Sequence, residues 1–143
     1  MLVDLPVEEL KTYGGRNPRP ADFDEYWEKS LAEMRAVKPE TTLVPVDMKA
    51  PYVECFDMFF NGVDNARIHA KLMRPKGAAQ PGPAVVFFHG YSGNSGDWYE
   101  KFGYVAAGFT VAVLDARGQG GLSEDVGGHK GNTLNGQIIR GLD

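Results

Sequence analysis

Two short apolar runs separated by a helix-like segment constrain the fold of this chain more than any other feature. The runs Ala84–Phe88 and Phe109–Leu114 are rich in Val and Phe, and they have the length of strands buried on both faces of a parallel sheet. Between them, apolar residues recur at helical spacing after Asp97, which stands at capping-box spacing from Glu100, and Gly108 ends the segment. The pattern predicts a βαβ unit.

The loops that follow the two predicted strands are where we expect function. His89–Gly93 follows the first strand, and Arg117–Gly121 follows soon after the second. In open parallel sheets, ligands bind beyond the carboxyl ends of the strands, and adjacent parallel strands end at the same edge. The two loops are therefore expected to meet there.

Upstream of this unit, the sequence predicts antiparallel strands. Residues Thr42–Met48 and Tyr52–Phe60 have the composition of strands. After a turn at Asn61–Asn65, the run Ala66–Leu72 alternates apolar and polar side chains, so it should pair back as an antiparallel hairpin. His69 lies in the polar register of this run and has no carboxylate at a fixed spacing. We therefore expect it to be a solvated surface histidine rather than a catalytic base.

The first 40 residues are predicted to form an arm and a helix. Residues 1–21 are rich in Pro and Gly, which indicates an extended arm. A helix is predicted from Asp22, and its apolar stripe is expected to pack on the domain: Phe23, Trp27, Leu31 and Met34. Residues 41–143 then form the first part of an α/β domain.

Composition and charge argue against several classes of protein. The chain of 143 residues has a formal net charge of −4 with both signs mixed along it, so we expect no binding to nucleic acid. Its single cysteine, Cys55, favours a reducing compartment. Because no segment resembles a membrane span or the apolar part of a signal peptide, we expect a cytoplasmic protein without membrane contact.

The segment His89–Tyr91 has the position of an oxyanion-hole loop. In α/β-hydrolases, one backbone donor to the oxyanion comes from a loop after an earlier strand, often after a His-Gly pair. Gly90 is expected to bend the backbone sharply and to point the N–H of Tyr91 into the site. A plain turn between strand and helix is the alternative, and the order of the surrounding strands favours the oxyanion hole.

The two serines beside this loop do not fit a nucleophile elbow. Ser92 and Ser95 both lack the last glycine of that motif, so we interpret them as turn or cap residues. In the second loop, Arg117 is expected to tie the backbone to the rest of the domain by bidentate hydrogen bonds. These residues alone contain no complete catalytic triad.

Neither a cofactor nor a metal ion is expected. Gly118 and Gly120 are followed by Ser123 where a dinucleotide fingerprint needs its third glycine. Three candidate metal ligands are spaced too irregularly for a recognisable site: His89, Asp115 and His129.

These motifs together resemble the acetyl xylan esterase and cephalosporin C deacetylase family, carbohydrate esterase family seven, within the α/β-hydrolases. The likeness extends from Pro20–Trp27 through His89–Gly93 to Arg140–Asp143, and the segment Arg117–Gln119 is its most specific element. The family's signature continues with a Gly-x-Ser-Gln-Gly elbow and a His-Glu pair, and neither occurs in this chain.

The resemblance implies the N-terminal part of an α/β-hydrolase, in which an antiparallel hairpin leads into a parallel βαβ sheet. It implies that Gly90 and Tyr91 bind substrate, that the Tyr91 N–H lines the oxyanion hole, and that Arg117, Gly118 and Gln119 shape the site. It also implies a serine esterase acting through an acyl-enzyme on small acetylated substrates, such as acetylated xylo-oligosaccharides and cephalosporin C, in a ring-like homo-oligomer. The triad would lie beyond Asp143, so we expect the chain alone to be inactive.

Two alternatives remain open at this point. The first is a non-catalytic module that folds only when a partner chain completes its sheet. The second is an α/β-hydrolase of other specificity, such as a peptidase or a dienelactone hydrolase.

Overall fold

A computed structural model describes residues 4–125 of the 143-residue chain. The chain forms two compact units, Met1–Ala32 and Glu33–Asp143. His129 and the family-like segment Arg140–Asp143 lie outside the described residues.

The N-terminal part of the chain contains two helices, α1 (Val7–Leu10) and α2 (Phe23–Ala36). The first was not expected, because residues 1–21 were predicted to be an extended arm. Pro6 supplies a φ of −54° before α1, and two glutamates in the first turn favour its N-terminal end. The structure confirms the helix predicted from Asp22. The side chains of its apolar stripe remain 36–51% exposed, and the packing of α2 on the domain stays a prediction.

The second unit is built on a five-stranded mixed sheet with the spatial order β1-β2-β3-β5-β4. Its strands are β1 (Thr42–Val46), β2 (Val53–Asn61), β3 (Arg67–Pro75), β4 (Ala84–Phe88) and β5 (Thr110–Leu114). All neighbouring pairs are antiparallel except β4 and β5, which are parallel. The predicted hairpin is confirmed, since Asn61 at the end of β2 pairs with Arg67 at the start of β3.

The predicted helix between β4 and β5 is present but shorter than expected. It consists of a 3₁₀ turn at Tyr99–Lys101 followed by α3 (Phe102–Ala106). The Asp97 side chain accepts a hydrogen bond of 2.8 Å from the Tyr99 N–H at the start, and Gly108 follows the end with a φ of +93°. The parallel connection through this helix confirms the βαβ unit.

The expectation that both parallel strands are buried on both faces is wrong for β4. Val86 and Phe88 are 56% and 72% exposed, whereas Val111 and Val113 of β5 are at most 3% exposed. The difference follows from position in the sheet, because among residues 4–125 β4 pairs only with β5. On its other face, Phe87 packs against Tyr104 of α3 with ring centroids 5.1 Å apart.

The core lies where α3 covers the middle of the sheet. Its buried members are contributed by β2, β3, β5 and α3: Val53, Cys55, Met73, Phe102, Val105, Val111 and Val113. Burying an aliphatic or aromatic side chain of this size contributes about 1.5–3 kcal/mol, so this cluster holds β2, β3, β5 and α3 together. Among the helices of residues 4–125, none combines the length and the apolar character required to cross a bilayer.

Candidate functional site

The loops after β4 and β5 meet at one edge of the sheet, as the sequence predicted. Phe88 and Leu114 are paired at the ends of the two parallel strands, so both loops start at the same level. The Ser92 N–H donates a hydrogen bond of 2.7 Å to the side-chain oxygen of Gln119. The motif residue Gln119 is therefore in direct contact with the predicted oxyanion-hole loop.

His89 makes a second link between the loops. Its Nε2 accepts a hydrogen bond of 2.9 Å from the Ala116 N–H, and its Nδ1 lies 2.7 Å from the Gly90 carbonyl oxygen. Because Nε2 acts as the acceptor, the proton of the neutral ring is on Nδ1, which donates to Gly90. One imidazole thus holds both backbones, and it is not available as a catalytic base in this arrangement.

The sequence predicted that the turn after His89 would bend at Gly90. In the structure, the unusual backbone conformation lies at Ser92. Gly93 donates a hydrogen bond of 3.0 Å to the Gly90 carbonyl, which closes a four-residue turn. Ser92 has a φ of +62°, a left-handed conformation that is uncommon for a residue with a side chain. Gly90 has no such φ, and a Cβ there would meet nothing within 4 Å. The hydrogen bond to Gln119 therefore stabilises the bend at its strained residue.

Tyr91 stands at the tip of this turn. Its side chain is 70% exposed, and within residues 4–125 its N–H donates to no acceptor. A donor without a partner at this edge of the sheet meets one requirement of an oxyanion hole. The roles of Tyr91 and Gly90 in binding substrate remain predictions.

The second loop approaches the first so closely that a glycine is required. A Cβ at Gly120 would lie 2.7 Å from the Gly93 carbonyl oxygen, which is closer than real Cβ contacts allow. The predicted segment that includes Gly118 and Gln119 is therefore packed backbone to backbone against the turn at Ser92.

Arg117 anchors the second loop to Asp125 and to the turn between β2 and β3. Its Nε donates a hydrogen bond of 3.1 Å to Asp125 Oδ1, its Nη2 lies 3.1 Å from the same oxygen, and its Nη1 is 3.4 Å from the Val63 carbonyl. Two guanidinium nitrogens thus face one carboxylate oxygen, rather than the two oxygens of the expected bidentate pair. The tie to the rest of the domain is present, and it reaches the turn between β2 and β3.

His69 was predicted to be a solvated surface histidine, and this prediction is wrong. The residue is 1% exposed. Its Nδ1 lies 2.6 Å from Asp115 Oδ2 and its Nε2 lies 2.9 Å from Asp57 Oδ1. β3 is central in the sheet, and the loop after β5 covers the face that the alternating pattern marked as wet: the Ser123 hydroxyl accepts a hydrogen bond of 2.9 Å from the His69 N–H.

Asp115 joins His69 to both loops of the candidate site. Its Oδ1 accepts a hydrogen bond of 2.5 Å from the Ser95 N–H, and its Oδ2 accepts one of 2.9 Å from the Leu122 N–H. Ser123 donates its hydroxyl proton to the Asp115 carbonyl over 2.5 Å. A single carboxylate thus receives donors from β3, from the loop after β4 and from the loop after β5. Sequence analysis gave Asp115 no such role.

The charges of this cluster stabilise one another. Burial raises the pKa of Asp115, but hydrogen bonds from His69 and from the Leu122 and Ser95 backbones lower it more, to about 2. Burial lowers the pKa of His69, and the hydrogen bonds and charges of Asp115 and Asp57 outweigh this effect, so that the pKa is raised above its ordinary value. These shifts favour the charged form of His69 and the ionised form of Asp115.

The fold and the paired loops define part of a hydrolase of the α/β type. The family model for acetyl xylan esterase (AXE1) matches residues 1–143, and the chain belongs to this family. It is similar to acetyl xylan esterase 1 from Thermoanaerobacterium sp. JW/SL YS485, with 56% identity over 98% of this chain and a TM-score of 0.84. It is also similar to the acetyl xylan esterase from Paenibacillus sp. R4, with 30% identity over 90% of this chain and a TM-score of 0.75. The chain spans 44% and 42% of the lengths of these two proteins.

Proposed function

We propose that this chain is the N-terminal part of a serine esterase that removes acetyl groups from acetylated xylo-oligosaccharides and related small esters such as cephalosporin C. Membership in the acetyl xylan esterase family supports an acetyl ester substrate over the peptidase and dienelactone hydrolase alternatives. The observation that carries the proposal within the chain is the free N–H of Tyr91, presented on a turn that Gln119 fixes at the carboxyl edge of the sheet.

In the proposed reaction, this chain stabilises charge and the remainder of the protein supplies the nucleophile. A serine hydroxyl from beyond Asp143 attacks the acetyl carbonyl, and its proton passes to a histidine. The carbonyl oxygen becomes an oxyanion, which accepts a hydrogen bond from the Tyr91 N–H. The alcohol leaves with the proton from the histidine, and water then hydrolyses the acetyl-enzyme. Without that serine the 143-residue chain has no covalent step to catalyse.

Hydrolysis of p-nitrophenyl acetate and release of acetate from acetylated xylo-oligosaccharides test this proposal in the full-length protein. We expect a burst of p-nitrophenol that depends on the serine, and no turnover by residues 1–143 alone. Tyr91→Pro removes the N–H, whereas Tyr91→Phe keeps it and alters only the side chain. We expect the proline variant to lose about 10²–10³-fold in kcat and the phenylalanine variant to remain close to wild type. Full activity in a folded Tyr91→Pro variant would exclude this amide from the oxyanion hole.

Two further properties of the whole protein are part of the proposal. A cytoplasmic location is supported by the single cysteine and the mixed charge of this chain, and a ring-like homo-oligomer by its resemblance to the family. Light scattering of the full-length protein after size exclusion measures the oligomer directly, and a monomeric mass would remove this part of the proposal.

A further inference from the structure

His69 is buried between two carboxyl groups, yet the proposed reaction does not use it. Both of its ring nitrogens face carboxylate oxygens, at 2.6 Å from Asp115 and 2.9 Å from Asp57. A neutral imidazole carries one N–H, so it could donate to only one of these two acceptors and would turn a lone pair toward the other. When both carboxyl groups are ionised, both contacts are hydrogen bonds only if both nitrogens carry protons. The geometry is therefore that of an imidazolium held between two carboxylates.

The two basic residues that flank His69 on β3 contact groups other than the two aspartates. The Arg67 guanidinium donates to Asn61 and Thr42, and the Lys71 ammonium contacts the Gly96 carbonyl. The third ring contact is apolar, with Phe59 at a centroid distance of 5.0 Å. Removal of the imidazolium would leave Asp57 and Asp115 facing the vacated space without their shared counter-charge.

Loss of the His69 charge would affect the candidate site because Asp115 binds both of its loops. The Asp115 carboxylate binds the Ser95 N–H of the loop after β4 and the Leu122 N–H of the loop after β5. Those donors lie a few residues from Tyr91 and Gln119, whose positions determine where the free amide points. A carboxylate that lost its partner on β3 would take up a proton or shift, and both changes weaken its hold on the two loops.

We propose that His69 is a positioning residue of the esterase: held as an imidazolium between Asp57 and Asp115, it fixes the loop that carries Tyr91 against the loop that carries Gln119. The inference rests on the proposed function, because it assigns His69 an effect on that reaction. It acts through Asp115 and touches neither the substrate nor the reacting atoms.

The first test compares His69→Gln with wild type in the full-length protein. A displaced loop misplaces the oxyanion donor, so we expect kcat to fall by about 10–100-fold while KM changes by less than about threefold. Asp47→Asn is the matched control, because it neutralises an exposed carboxylate paired with Lys49 and should leave both constants unchanged. Wild-type kcat in His69→Gln, or a loss confined to KM, would overturn the inference.

A designed double variant separates positioning from general damage to the core. In His69→Gln with Asp57→Asn, the new glutamine can donate to Asp115 and accept from the asparagine amide, which rebuilds the chain of hydrogen bonds without the charges of His69 and Asp57. We expect it to recover at least about threefold in kcat over His69→Gln. A double variant that is folded and no better than the single variant contradicts the inference. If His69→Gln does not fold, the Asp57→Asn variant is measured alone. We expect it to lower kcat, and an unchanged kcat would contradict the inference.

Hydrogen exchange distinguishes failure of this inference from failure of the proposed function. Peptides that cover Ser95 and Leu122 should exchange faster in His69→Gln than in wild type, whether or not the protein hydrolyses esters. Faster exchange in a protein without esterase activity would reject the proposed function while leaving the positioning contact in place. An active protein with unchanged exchange in both peptides would reject the role of His69.

Discussion

The carboxyl group of Asp115 leaves no room for a side chain at Gly121. A Cβ at this glycine would lie 2.3–2.5 Å from all three carboxyl atoms, and its φ of +93° is strained for any other residue. We expect Gly121→Ala to destabilise the full-length protein by more than the about 1–2 kcal/mol of the left-handed backbone alone. Gly103→Ala is the control: it lies in α3 with nothing within 4 Å, so it should be neutral or stabilising. Urea denaturation of both variants measures the difference, and equal midpoints would contradict this account.

The charge of His69 predicts how stability depends on pH. Because the pKa of His69 is raised on folding, its contribution is fully present below about pH 6.5 and is lost as the pH rises through the folded-state value. The pKa of Asp115 is lowered to about 2, so its contribution is present above about pH 4 and is lost as the pH falls toward 2. The cluster is therefore most stabilising between about pH 4 and 6.5.

We expect His69→Gln to cost about 3–5 kcal/mol of unfolding free energy at pH 5, because it leaves the buried carboxylate of Asp115 and the partly buried one of Asp57 without their partner. The difference from wild type should shrink as the pH is raised above 7. Urea denaturation at pH 5, 7 and 9 measures this trend, and Asp47→Asn should stay within about 0.5 kcal/mol of wild type throughout. A difference that grows with pH would mean that His69 is neutral in the folded protein.

His69 also shows where prediction from the sequence failed at the scale of the residue. Alternation in β3 correctly placed His69 on the face opposite Ile68 and Ala70, but it could not say what covers that face. The signal for Asp57 was available in the predicted hairpin: His69 pairs with Phe59, so Asp57 is a diagonal neighbour on the same face. Asp115 is more than 40 residues away along the chain, and only the path of β5 beside β3 brings it close.

At the scale of elements, the two loops act as one unit because Gln119 bridges them. We expect Gln119→Met, which keeps the length of the side chain and removes the acceptor for the Ser92 N–H, to lower kcat of the full-length protein by about 10–100-fold. KM should change little, since the loop is displaced and not removed. Gln80→Met makes the same substitution at an exposed position of the linker before β4 and should leave kcat unchanged. Comparable losses in both variants would indicate a nonspecific effect of the methionine.

The elements themselves were largely predictable. Strong periodicity fixed α2, the β2–β3 hairpin and the βαβ unit, because each is specified by local spacing and turn residues. Two details were not. The turn at Ser92 is held left-handed by a residue of another loop, and α1 forms within a segment whose prolines indicated an arm. At Ser92 a contact with another loop outweighed the average character of the segment, and at α1 a few local residues did so.

For the whole molecule, the apolar face of β4 determines how this chain should behave by itself. Val86 and Phe88 lie two positions apart on one face and are 56% and 72% exposed, on a strand that pairs on one side only within residues 4–125. Adjacent exposed apolar residues on an edge strand promote association with other chains. The sequence identified the apolar run of β4, but its continuous hydrophobicity could not reveal that this face would be uncovered.

We expect residues 1–143, expressed alone, to bind the dye ANS and to elute as large species on size exclusion, whereas the full-length protein should do neither. Val86→Thr with Phe88→Thr should reduce dye binding and shift the chain toward a monomer, because threonine keeps strand propensity and lowers apolar exposure. Val7→Thr alters a single exposed valine of α1, 68% exposed, and should change neither property. A stable monomer of wild-type residues 1–143 without dye binding would show that the exposed face of β4 needs no cover, and would favour an independent module over a part of a larger enzyme.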